Sequence, residues 1–154
     1  MDAKHSTELP HQRWARLRED MRSLLRRGAW YRVVAQDGPS AVLLAVRHLR
    51  VSFPLTYLEF SDTRPRRWTV VPRPRDGEML PESWGPFYAV CPNCADRARV
   101  SGARDKMRCH RCGRTFEVAW DERYLLPPVD PQRAPPAPDA QNSRKSTNGV
   151  DPGG

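Results

Sequence analysis

All four cysteines of the chain fall into two pairs, Cys91-Pro92-Asn93-Cys94 and Cys109-His110-Arg111-Cys112, which gives C-x2-C-x14-C-x2-C with none left over. A two-residue spacer folds the chain back into a tight knuckle, so that both thiolates of a pair face one ion about 2.3 Å away. Fourteen intervening residues suit a β-hairpin that brings the second knuckle beside the first. Short strands are legible on either side of each knuckle, at 87–90 and 97–100 around the first and at 106–108 and 115–120 around the second. Gly113 follows the second pair, where a left-handed backbone is easily adopted. Ala95 stands at the equivalent place in the first pair and fits less well.

Other cysteine chemistries fit this pattern poorly. A disulfide framework belongs to secreted chains, and the first twenty residues are polar and charged rather than signal-like. A thioredoxin-like redox centre needs one C-x-x-C opening a helix, whereas both pairs here lie between strands. Rubredoxin-like iron uses the same knuckles, but the segment between them is short and carries no aromatic cage. The expected cofactor is therefore one zinc ion held by Cys91, Cys94, Cys109 and Cys112. Four thiolates close the coordination sphere and leave no position for water, so the ion is structural rather than catalytic. His110 lies inside the knuckle loop and is expected to point to solvent.

Residues 90–118, VCPNCADRARVSGARDKMRCHRCGRTFEV, resemble the short bacterial zinc-ribbon module, whose pattern is V-C-P-x-C, a valine strand, a polar hairpin and R-C-x-x-C-G-x-x-F-x-V. Pro92, Val100, Arg108, Gly113, Phe116 and Val118 match besides the cysteines, and Ala95 in place of the usual glycine is the departure. The resemblance spans under a fifth of the chain and implies a fold rather than a function. Such ribbons are similar to those of transcription factors, RNA polymerase subunits and ribosomal proteins.

The rest of the chain predicts a mainly β (α+β) protein. Trp14, Leu17, Met21, Leu24 and Leu25 recur at three- and four-residue spacing, so residues 7–27 read as an amphipathic helix, with Ser6 or Thr7 as N-cap and Gly28 as stop. Its other face carries Arg13, Arg16, Arg22, Arg26 and Arg27. From Trp30 the pattern changes to short strands at 30–36, 40–46, 49–53 and 67–71, with a single helical turn expected within 54–60. This reads as a small SH3-like barrel with a core of Tyr31, Val33, Val42, Leu44, Val51, Phe53, Leu58 and Val70. The expected order is an N-terminal helix over 1–29, the barrel over 30–71, a proline-rich linker over 72–86, the zinc ribbon over 87–126 and a disordered tail over 127–154. That tail has seven prolines, no aromatic residue and balanced charge, so nothing in it offsets the entropy of ordering.

Charge directs the functional reading. The 154 residues carry a net +8, all of it within residues 1–126, which favours nucleic acid or an acidic protein surface as partner. Only Lys4, Lys106 and Lys145 of the 26 basic residues are lysine, and an arginine bias beside 16 prolines also follows from a GC-rich genome. The ribbon itself is barely basic once four thiolates and one zinc are counted. The stronger candidate surface is Arg64, Arg66, Arg67 and Arg73 flanking Trp68, joined by Arg97, Arg99, Lys106, Arg108 and Arg111 of the ribbon, with Tyr88 or Trp120 to stack on a base. A strand tryptophan such as Trp68 is also, most simply, a core residue. No G-x-S-x-G, Walker loop, H-E-x-x-H or dinucleotide-binding turn is present, so no enzymatic activity is expected. The longest aliphatic run, 41–46, falls far short of the roughly 20 residues a bilayer requires, and a cytoplasmic location is expected. Two functions follow: a zinc-binding protein that contacts nucleic acid or the transcription machinery, or an adaptor that presents a rigid scaffold to an acidic partner. The sequence specifies no oligomeric state.

Overall fold

The structure, a computed structural model, describes residues 12–75, 79–100 and 102–126. Those residues form ten strands in two five-stranded sheets, with two short 3-10 turns and no longer helix. No helix among them is long and apolar enough to cross a membrane. The capping residues Ser6 and Thr7 and the tail over 127–154 lie outside the described residues.

The first sheet runs in the order β4-β3-β2-β1-β5, built from β1 (Trp14–Leu17), β2 (Tyr31–Asp37), β3 (Ala41–Val46), β4 (Leu49–Pro54) and β5 (Leu58–Ser61). All of its pairings are antiparallel. Alternation sets the faces. Val42 and Leu44 of β3 point inward with Val33, Phe53 and Leu58, and Ala15 and Leu17 of β1 complete the cluster. A register shift between Val33 and Ala35 lets β2 bend.

Over its described residues, 12–27, the expected N-terminal helix is not formed. Trp14–Leu17 is a strand inserted between β2 and β5, and the chain from Arg18 to Trp30 is irregular. The three- and four-residue apolar spacing is accidental over so short a stretch: Ala15 and Leu17 are buried by strand alternation, while Leu24 is 77% exposed. Gly28 is no helix stop but the point of closest approach to the second sheet, with φ +79°; a Cβ there would lie 2.5 Å from Val71 Cγ2.

The SH3-like barrel is also corrected, to a half-barrel. Its expected fourth strand, β6 (Arg67–Pro72), leaves the first sheet and becomes the centre of the second, ordered β8-β7-β6-β10-β9. The other strands there are β7 (Phe87–Val90), β8 (Arg97–Arg99), β9 (Lys106–Arg108) and β10 (Thr115–Val118). β6 runs antiparallel to β7 and parallel to β10. It is buried on both faces: Trp68 and Val70 face the cysteines, while Thr69 and Val71 face the first sheet. Strand periodicity does not say which sheet a strand joins, and a doubly buried strand does best in the middle of one. Val70 therefore packs in the cysteine-side cluster and not in the half-barrel. Tyr31 touches both the half-barrel core and the layer between the sheets formed by Ala29, Val71, Tyr88, Val90 and Tyr124.

Arg16 lies between the sheets. The sequence puts it on an exposed arginine face, yet it is 6% exposed. Its guanidinium pairs with Glu59 and with Glu122 at 3.1 Å, donates to Thr69 Oγ1 at 3.0 Å, and stacks over Trp30 and Tyr124.

Candidate metal centre and basic surface

Each knuckle is closed by the same pair of backbone hydrogen bonds. In the first, the Cys91 N–H donates to the Asp96 carbonyl at 2.9 Å and the Ala95 N–H to the Cys91 carbonyl at 3.0 Å. In the second, Cys109 N–H donates to Arg114 at 2.8 Å and Gly113 N–H to Cys109 at 2.9 Å. Gly113 has φ +74°, and Ala95 takes the same left-handed conformation at φ +62°. The alanine thus keeps the hydrogen bonds of the knuckle, at the steric cost its Cβ brings.

The knuckles turn the antiparallel pairs β7–β8 and β9–β10, and β6 lies between them. The 14-residue segment therefore does not form one hairpin joining the knuckles but carries the chain from one edge of the sheet to the other. Even so, the four Sγ atoms meet within 4.8 Å of one another. Cys91 and Cys112 are 3.8 Å apart, and Cys94 and Cys109 are 3.5 Å apart. A tetrahedron with 2.3 Å metal–sulfur arms has edges of about 3.8 Å, whereas a disulfide brings its sulfurs to about 2.0 Å. The donor set fits a four-coordinate thiophilic ion. His110 is exposed and stands outside the cluster.

Beneath the cluster sits Trp68, fully buried against Cys91, Cys109 and Val118, with its indole N–H donating to the Met107 carbonyl at 3.0 Å. Burial pushes the Cys91 and Cys94 thiols up. Burial acts the same way on Cys112, but hydrogen bonds from the Arg114 backbone N–H and the Asn93 side chain outweigh it and hold that thiol down at about 6. Asn93 also accepts a hydrogen bond from Arg64 Nη2 at 2.9 Å. Sequence reasoning passed over Asn93, and its only signal was an amide placed inside a two-residue spacer.

The basic residues expected to form one surface are dispersed. Arg64, Arg66 and Lys106 do come together, with Arg114, along a groove of about 570 Å³ that Asn93 and Glu117 also border. Arg67 lines a neighbouring hollow and is paired with Asp121, whose carboxyl it holds below the usual range. Trp68 and Tyr88 are buried and offer no exposed ring, while Trp120 is 42% exposed with its indole N–H donating to the Arg104 carbonyl. Arg73 is spent on its own loop, donating to the carbonyls of Leu80, Pro81 and Gly85. Arg99 and Arg108 are exposed on opposite edge strands, and Arg108 donates to the Gly113 carbonyl. Arg97 and Arg111 line a separate cleft together with Cys94. No protein-family model, no curated protein and no solved structure matches the chain.

Proposed function

We propose that Cys91, Cys94, Cys109 and Cys112 hold one structural zinc ion, that residues 90–118 are a zinc-ribbon module, and that the protein is a non-enzymatic binder of nucleic acid or of the transcription machinery. The zinc reading is supported by four sulfur donors at tetrahedral separations. When bound, such an ion supplies no catalysis, since the thiolates fill its coordination sphere; the chain's own part is to hold the knuckles rigid. The observation that carries the binding reading is the groove in which Arg64, Arg66, Lys106 and Arg114 converge with only Glu117 opposing them. A phosphate backbone laid there meets four cations on a rigid floor, the arrangement that positions a strand without reading its bases.

The test is titration with a labelled oligonucleotide over a range of salt. Neutralising about four phosphates predicts a log-log slope of about −3 to −4, and Arg64→Ala/Arg66→Ala should make it shallower by about two. Loss of binding with no change in slope, or a slope near zero in the parent protein, would remove the groove from consideration. Metal content measured by mass spectrometry of the purified protein decides between zinc and iron.

A further inference from the structure

A concave surface larger than the basic groove lies elsewhere, between the half-barrel and the first knuckle. It encloses about 900 Å³. Arg22, Arg26, Arg47, Arg97, Arg111 and His48 line it, and among the described residues no aspartate or glutamate does. The same cleft carries Leu24, Leu49 and Met79, which are 77%, 68% and 93% exposed. Large side chains this exposed and this close together leave apolar surface open to water.

One backbone detail concerns the rim of this cleft. Val46 and Leu49 pair directly, so Arg47-His48 is a two-residue hairpin turn. Such turns favour asparagine and glycine because their φ is positive. Arg47 nevertheless occupies a left-handed position, at φ +55°. Strain held beside a cleft is compatible with a binding role for it.

We propose that this cleft docks an acidic peptide segment that carries large apolar side chains. Charge complementarity selects an anionic partner. The exposed leucines and methionine decide which kind: phosphates and sugars cannot bury them, whereas leucine- or phenylalanine-bearing segments can. The site is distinct from the basic groove, although Asn93 borders both, and it stands whether or not the groove binds nucleic acid.

The probe is a fluorescent peptide with the repeat Glu-Leu-Asp-Leu, with Gln-Leu-Asn-Leu as its uncharged control, titrated into the full chain. Binding of the acidic peptide alone is expected. Leu24→Ser/Leu49→Ser should weaken it about tenfold or more with little effect on melting temperature, since both residues are exposed. Arg47→Gly should also weaken it while raising the melting temperature, because the turn is relieved of strain. Arg66→Ala/Lys106→Ala, two groove residues that do not border the cleft, should leave peptide binding unchanged, which separates failure here from failure of the groove.

No binding of the acidic peptide, equal binding of the amide control, or insensitivity to the leucine substitutions would overturn the proposal. So would three reassignments. Displacement by an oligonucleotide whose affinity falls in Arg47→Gly, with the leucine substitutions silent, makes the cleft a phosphate site. Concentration-dependent dimerisation abolished by those substitutions gives it to a second copy. Binding that appears only after removal of residues 127–154 gives it to the chain's own C-terminal segment.

Discussion

The guanidinium of Arg16, on the first strand, lies 3.1 Å from the carboxylate of Glu122, beyond the last strand, so a single ion pair spans the sequence from one side of the described chain to the other. Arg16 also reaches Glu59 in the first sheet and Thr69 in the second, between the rings of Trp30 and Tyr124. Replacing it removes the cation that both carboxylates face and empties the space between two aromatic rings. Arg16→Ala should cost about 2–4 kcal/mol in urea unfolding, less than for a fully buried pair because Glu59 and Glu122 are partly solvated. Arg16→Lys keeps the charge but loses the planar stack and should fall between. A loss below about 0.5 kcal/mol in Arg16→Ala would mean that Arg16 contributes little to holding the two sheets together.

Serine at Cys91 or Cys112 should abolish stoichiometric metal and loosen residues 87–120, read as lost amide-exchange protection there. Chelation of the parent protein should reproduce the same pattern, with Trp68 emission shifting as the cluster above it opens. Full metal retained in both single substitutions would refute the four-cysteine assignment.

Ala95→Gly should stabilise the protein. Removing the Cβ relieves a left-handed alanine, worth about 1–2 kcal/mol, and the extra freedom of glycine in the unfolded chain returns part of it. A net gain of about 0.5–1 kcal/mol is expected. A β-branched residue at the same place should act in the opposite direction, and melting temperatures of Ala95→Gly and Ala95→Val test both signs.

Tyr124 predicts an alkaline limit. Its hydroxyl donates to the Leu17 carbonyl at 2.5 Å and accepts from the Gly28 N–H at 3.0 Å, and burial pushes its pKa up to about 12 from 10.0. Above pH 10 the unfolded chain gives up this proton while the folded one keeps it. The contribution is therefore whole below about pH 10 and is lost as pH rises through about 12. The expected fall is at most about 2–3 kcal/mol. Tyr124→Phe should flatten that slope in denaturation measured from pH 8 to 12, leaving the smaller share of Tyr31, whose pKa burial also raises. At neutral pH the same substitution should cost about 1–3 kcal/mol, since it strands a buried carbonyl and a buried N–H.

What the sequence disclosed and what it concealed differ in physical origin. The cysteine pairs were legible because ligand spacing is local, and β2, β3 and β4 because they are short runs rich in aliphatic and β-branched residues, the first two separated by the turn residues Asp37-Gly38-Pro39. β1 was not legible: a four-residue strand is too short for alternation to outvote the helical spacing of Trp14, Leu17, Met21 and Leu24. The departure of β6 from the half-barrel was hidden because pairing partners are chosen across the chain, and nothing in RWTVVP names its neighbours. The dispersal of the basic residues has in part the same origin. Charge in a sequence does not show which arginines are already engaged, as Arg16, Arg67 and Arg73 are by Glu59, Asp121 and the loop carbonyls.

The place of β6 between the two knuckle-bearing hairpins governs the order in which the protein can be assembled. During synthesis the five strands of the first sheet and β6 itself emerge before any cysteine does, and β10, the neighbour that β6 needs on its far side, is made last among the strands of the described residues. The second sheet is thus completed by closing a long stretch of chain, a slow step by its contact order. Until then one flank of β6 stays open and Cys109 and Cys112 are still unpaired with the first knuckle. A site that needs all four thiolates is consequently complete only late, once β10 is in place, and a ribosome-stalled chain ending before residue 109 should hold the half-barrel but no metal.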